Sequence, residues 1–67
     1  MKIYLGADHR GFELKNKIKK FLEELRYDYE DLGAFEYNKD DDYPDFAKAV
    51  AEKVAVNARD KGILICG

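Results

Sequence analysis

One cysteine, Cys66, is the only thiol in the chain, so no internal disulfide can form. Nothing at the amino end resembles an export signal, because Met1-Lys2 is followed by only three apolar residues before Gly6. A reducing, cytoplasmic setting is therefore expected. No apolar run is long enough to cross a membrane, so no membrane partner is expected. Twelve lysines and arginines against 14 aspartates and glutamates leave a net charge of −2. That provides no basic field for nucleic acid. There are no internal repeats, low-complexity tracts or linkers, and 67 residues make one small domain at most. Such a domain buries only about 60 % of its unfolded surface, so its stability is marginal and further support is expected. No G-x-G-x-x-G occurs, which leaves a dinucleotide site without support. Gly6 and Gly11 have P-loop spacing, but Phe12 and Glu13 stand where lysine and serine or threonine are needed.

What is present is an alternation of strand and helix signals. Lys2 to Ala7 reads as a strand, apolar at its centre on both faces, as befits a strand covered on both sides. Gly11 to about Leu25 reads as an amphipathic helix with a buried stripe of Leu14, Ile18, Phe21, Leu22 and Leu25. Its lysines, Lys15 and Lys19 among them, read as a solvated face. Arg26 stands where helices often end in glycine. Tyr27 to Leu32 reads as a second strand with one buried face, and its acids suit an exposed edge. Gly33 to Asp42 is a loop ending in Asp40-Asp41-Asp42. The run lacks the glycine and the late glutamate of a calcium loop, so a solvated loop is expected and no metal. Pro44 opens a second helix whose buried stripe is Phe46, Ala47, Val50, Ala51, Val54 and Ala55. After a turn over 57–61, Gly62 to Cys66 reads as a third strand, apolar on both faces.

The order β-α-β-α-β predicts a three-layer α/β/α domain with a parallel sheet. An edge-like second strand and central-looking first and third strands give the strand order 2-1-3. Parallel crossovers are right-handed in about 98 % of cases, so reversing direction puts the helices on opposite faces. It also sets the carboxyl ends of strands one and three side by side, where ligands bind in open α/β sheets. Asp8, His9, Cys66 and Gly67 then share one crevice. Each has a plain structural reading: Asp8 as a helix cap, His9 as a surface turn residue, Cys66 as a small buried hydrophobe. Their convergence favours chemistry, with a thiol of tunable pKa and a histidine able to meet an anion. A receiver-type domain, by contrast, would place adjacent acids at the end of strand one.

The segment Gly6-Ala7-Asp8-His9-Arg10-Gly11-Phe12, followed by Leu14-Lys15, resembles the amino-terminal signature of the type B ribose-5-phosphate isomerases, in the ribose/galactose isomerase family. Asp31-Leu32-Gly33, Asp42-Tyr43-Pro44-Asp45 with Ala47, and Gly62 to Gly67 match its later landmarks. The resemblance runs through the whole chain and implies the N-terminal half of a Rossmann-like isomerase domain. It implies aldose–ketose isomerisation of a sugar phosphate through an enediolate, with no metal or cofactor. Ribose 5-phosphate is the expected substrate, and galactose-6-phosphate and allose-6-phosphate isomerases belong to the same wider family. By resemblance Cys66 is the base, Asp8 contacts sugar hydroxyls and aids ring opening, and His9 lies near the phosphate. Tyr43 walls the sugar pocket, and Gly67 begins the loop that stabilises the enediolate. The resemblance also implies a homo-oligomer, a dimer or larger, in the full-length form. Residues 1–67 lack the later histidine and arginines of the family, so they are expected to be inactive alone. Two other readings are a non-catalytic piece that pairs with a complementary half, and a small phosphate-binding module using His9 and Arg10.

Overall fold

The strand Lys2–Ala7 (β1) lies at the centre of a three-stranded parallel sheet in the computed structural model, which describes residues 1–66. On one side it pairs with Asp28–Asp31 (β2), with Lys2 opposite Asp28 and Leu5 opposite Asp31. On the other it pairs with Lys61–Ile65 (β3), with Ile3 opposite Lys61 and Ala7 opposite Ile65. The order β2-β1-β3 is the one the sequence predicts. Two helices connect the strands, Phe12–Glu24 (α1) and Tyr43–Val56 (α2), and a 3-10 turn over His9–Gly11 precedes α1.

Successive strand residues face opposite sides of a sheet. Ile3 and Leu5 meet Leu22 and Ile18 of α1, with Tyr29 and Ile63 packed around them. Gly6 and Gly62, on the other face, lie beneath Val50 of α2. A methyl group on either glycine would meet a Val50 methyl, at 2.8 Å and 2.6 Å respectively, so hydrogen in place of a side chain sets how closely α2 approaches. The helices thus cover opposite faces, as expected.

The stripe expected of α1 is rotated. Leu14, Phe21 and Leu25 are more than half exposed, whereas Lys15 and Leu22 are buried and Ile18 is half-buried. Positions 15, 18 and 22 form a row at i, i+3 and i+7, and this row faces the sheet. Lys15 is therefore not on a solvated face; its side chain is fully enclosed. In α2, Val50 is buried as expected, but Ala51 and Ala55 are exposed. Among the described residues β3 lies at the sheet's other edge, and Leu64 is 39 % exposed.

Arg26 ends α1 in the left-handed region, at φ 61°. Its N–H donates to the Glu23 carbonyl at 3.0 Å, and the Tyr27 N–H to the Leu22 carbonyl at 3.0 Å. This pair of bonds is the Schellman closure, built here without glycine.

Candidate functional site

The site begins where β1 stops. Asp8 follows Ala7 and caps the 3-10 turn. Its Oδ1 accepts the N–H of Arg10 at 3.0 Å and of Gly11 at 3.2 Å. The capping reading of Asp8 therefore holds, and it occupies one carboxylate oxygen. Gly11 then packs on the end of β3, where a Cβ would stand 2.6 Å from the Ile65 carbonyl oxygen. Only a residue without a side chain lets this turn rest on that strand. Since Ala7 is opposite Ile65, Asp8 and Cys66 leave neighbouring strands at the same level. Cys66 is a free thiol, exposed among the described residues.

His9 is held from the loop after β2. Its backbone N–H donates to Asp41 Oδ1 at 2.9 Å, and its ring Nδ1 lies 3.0 Å from the same oxygen. The ring also meets Tyr37 edge-on, with centroids 5.8 Å apart and planes at 87°. The middle acid of the expected solvated run is thus not solvated: the Asp41 side chain is 11 % exposed. Burial pushes its carboxyl up, but the two contacts with His9 outweigh that and hold it below the ordinary value of 3.8.

The loop itself is tied down at its start. The N–H of Ala7 donates to the Gly33 carbonyl and that of Ala34 to the Ala7 carbonyl, each at 2.8 Å. Beneath them Lys15 Nζ donates to both oxygens of Asp31, at 2.8 and 2.9 Å, and to the Ala34 carbonyl. Lys19 Nζ adds a bond to Asp31 Oδ2 at 2.9 Å, and Gly33 N–H one to Oδ1 at 2.9 Å. Burial raises the Asp31 carboxyl; the two ammonium groups and the Gly33 N–H outweigh it, so the net shift is downward from 3.8. A cavity of about 290 Å³ adjoins the loop, lined by Ala34, Phe35, Glu36, Asn38, Asp41 and Phe46.

Tyr43 is the first residue of α2 and is half-buried. The Phe46 carbonyl, one turn further on, lies over Gly6, so α2 starts at the carboxyl end of β1. The fold therefore gathers Asp8, His9, Cys66 and Tyr43 at one end of the sheet, though none of the four lines the cavity. Gly67 lies outside the described residues. Among those residues, no group of three or more histidine, cysteine, aspartate or glutamate side chains is arranged to hold a metal ion.

A family model described as Ribose/Galactose Isomerase matches residues 3–67. The chain belongs to the ribose/galactose isomerase family. It is 45 % identical to ribose-5-phosphate isomerase B of Mycolicibacterium paratuberculosis over its full length, which is 42 % of that protein. The crystal structure of ribose-5-phosphate isomerase B from Mycoplasma genitalium with bound ribulose-5-phosphate superposes with a TM-score of 0.95 at 45 % identity. The match covers 98 % of this chain and 44 % of that one. The Clostridium thermocellum ribose-5-phosphate isomerase B gives 0.91 at 46 % identity, covering 100 % and 45 %. The chain thus spans less than half the length of these family members.

Two features of the site were not legible as function in the sequence. Asp41 is 32 residues from His9, and nothing local pairs them. Lys15 carried a signal that the charge pattern hid: it shares a helical row with Ile18 and Leu22, and Asp31 is the acid at the end of the strand paired with β1.

Proposed function

We propose that this chain supplies the strand-end part of an aldose–ketose isomerase acting on a sugar phosphate, ribose 5-phosphate first, in the cytoplasm and as part of a homo-oligomer. The observation that carries the reading is the register Ala7–Ile65. It sets a carboxylate and an exposed thiol on adjacent parallel strand ends in a family with a member solved holding ribulose-5-phosphate.

In this reading the Cys66 thiolate takes the proton from the carbon next to the carbonyl and returns it to the neighbouring carbon, the two carbons being joined in an enediolate. A base within reach of both carbons needs no cofactor for this transfer. Asp8 Oδ1 is committed to the turn, so the second oxygen is the one offered to a sugar hydroxyl during ring opening. His9 meets the polar end of the substrate, Tyr43 walls the sugar, and the amide of Gly67 begins the set of N–H donors on which the enediolate's charge rests. Residues 1–67 alone are inactive in this reading, and the half-exposed β3 is a surface for the complementary part of the domain.

The test is ribose 5-phosphate turnover by the complete natural polypeptide containing this sequence, with and without Cys66→Ser. Loss of a general base lowers the rate by roughly 10²–10⁴-fold. Undiminished turnover in the variant removes Cys66 as the base. No turnover of pentose or hexose phosphates by the parent removes the isomerase reading.

A further inference from the structure

His9 is the only histidine of the chain, and it is gripped on two sides by a single loop. Asp41 Oδ1 takes the backbone N–H and meets ring Nδ1, while Tyr37 closes on the ring edge-on. An ionised carboxylate can only accept, so the ring nitrogen beside it must carry the hydrogen. Among the described residues Nε2 has no hydrogen-bond partner. We propose that Asp41 is a positioning residue for His9, fixing the proton on Nδ1 and leaving Nε2 as the atom that meets the substrate. This rests on the reading of His9 as a substrate contact and deepens it.

The arrangement does two things. It ties His9 at two atoms, the backbone N–H and ring Nδ1, to one carboxylate oxygen. It also fixes the chemistry of Nε2, which accepts from a hydroxyl when the ring is neutral and donates to a phosphate oxygen when the ring is charged. In the opposite tautomer Nε2 would carry the hydrogen and could not accept from a hydroxyl. The loop that carries Asp41 is anchored at its start, where Ala34 bonds to β1 and to Lys15.

Two readouts test this on the complete natural polypeptide, with the His9 ring signals assigned by their loss in His9→Gln. The ring ¹⁵N spectrum is expected to show His9 protonated at Nδ1, either alone or together with Nε2. In Asp41→Ala the His9 signals shift toward the Nε2–H form. Kinetically, Asp41→Ala is expected to raise KM for ribose 5-phosphate by roughly tenfold, the scale of one charged hydrogen bond, with a smaller change in kcat. Asp41→Asn keeps an acceptor for Nδ1–H and recovers most of that loss. A neutral Nε2–H ring in the parent protein overturns the proposal outright. So does an Asp41→Ala variant whose His9 signals are unmoved or whose KM is within twofold of the parent. If Asp41→Ala does not fold, the parent spectrum and Asp41→Asn decide between the same outcomes. A protein that turns over no sugar phosphate overturns the isomerase reading, and the spectra still judge Asp41.

Discussion

The two strands flanking β1 end in opposite ways. At the end of β2, Asp31 holds two ammonium groups and a backbone N–H, and the chain beyond it continues to bond to β1 through Gly33 and Ala34. At the end of β3, Cys66 is a free and exposed thiol. The β2 end is saturated with contacts, whereas among the described residues the Cys66 thiol has no such partner. Polar groups bonded to each other hold geometry. The central turn over Asp8 to Gly11 leans on both, through the loop that grips His9 and through the contact of Gly11 with Ile65.

The comparison is broken most forcefully at the β2 end. Lys15→Met keeps most of the side-chain volume but takes from the half-buried Asp31 carboxylate its enclosed partner, leaving it Lys19 and the Gly33 N–H. Breaking a fully buried pair costs about 3–5 kcal/mol, and the partners that remain to Asp31 put the expected loss at about 3 kcal/mol or below. Urea unfolding of the complete natural polypeptide should show a loss of that order. Cys66→Ser, by contrast, removes no hydrogen bond or ion pair seen among the described residues and should cost less than Lys15→Met. Equal losses from both variants would mean that the two strand ends are not the different structures described above.

Acid sharpens the same contrast. The folded Asp31 carboxyl titrates below its ordinary value of 3.8, so the folded state binds its proton less readily than the unfolded chain does. The resulting stabilisation is complete above the unfolded value and is lost as pH falls through the lower folded one. Unfolding midpoints followed between about pH 6 and about pH 2 should fall in that window. In Lys15→Met, where Lys19 and the Gly33 N–H alone oppose burial, the folded carboxyl moves back up toward the unfolded value, so the decline should be shallower. An unchanged acid profile in that variant would show that Lys15 does not hold the Asp31 charge.

The sheet order and the strand ends were legible because they follow from patterns that do not depend on contact detail. The acidic second strand, the two apolar strands and the alternation of elements leave few topologies. The orientation of α1 was not legible, because its apolar residues lie in two rows that overlap at Ile18 and Leu22. Hydrophobicity alone favours the row with Leu14, Phe21 and Leu25. The sheet instead receives the row with Lys15, since Asp31 and the Ala34 carbonyl provide it with partners there. A buried charge becomes acceptable only through partners distant in sequence, which a helical pattern cannot show. Asp41 was misread for the same reason. Local acidity marked it as solvated, and its distant partner His9 made it part of the site.

The smallest effect expected lies where a sequence expectation and the fold agree. Arg26 sits at φ 61°, a conformation that costs a residue with a side chain about 1–2 kcal/mol. The closure around it uses only backbone groups, the N–H of Arg26 and Tyr27 and the carbonyls of Glu23 and Leu22. Arg26→Gly therefore removes the strain and keeps every bond. Glycine also frees the unfolded chain, which offsets roughly 0.5–1 kcal/mol. The net expectation is a stabilisation of about 0.5 kcal/mol, read as a small rise in the thermal midpoint with turnover unchanged. A fall in the midpoint would show that the exposed Arg26 side chain makes a contribution larger than the strain of its backbone.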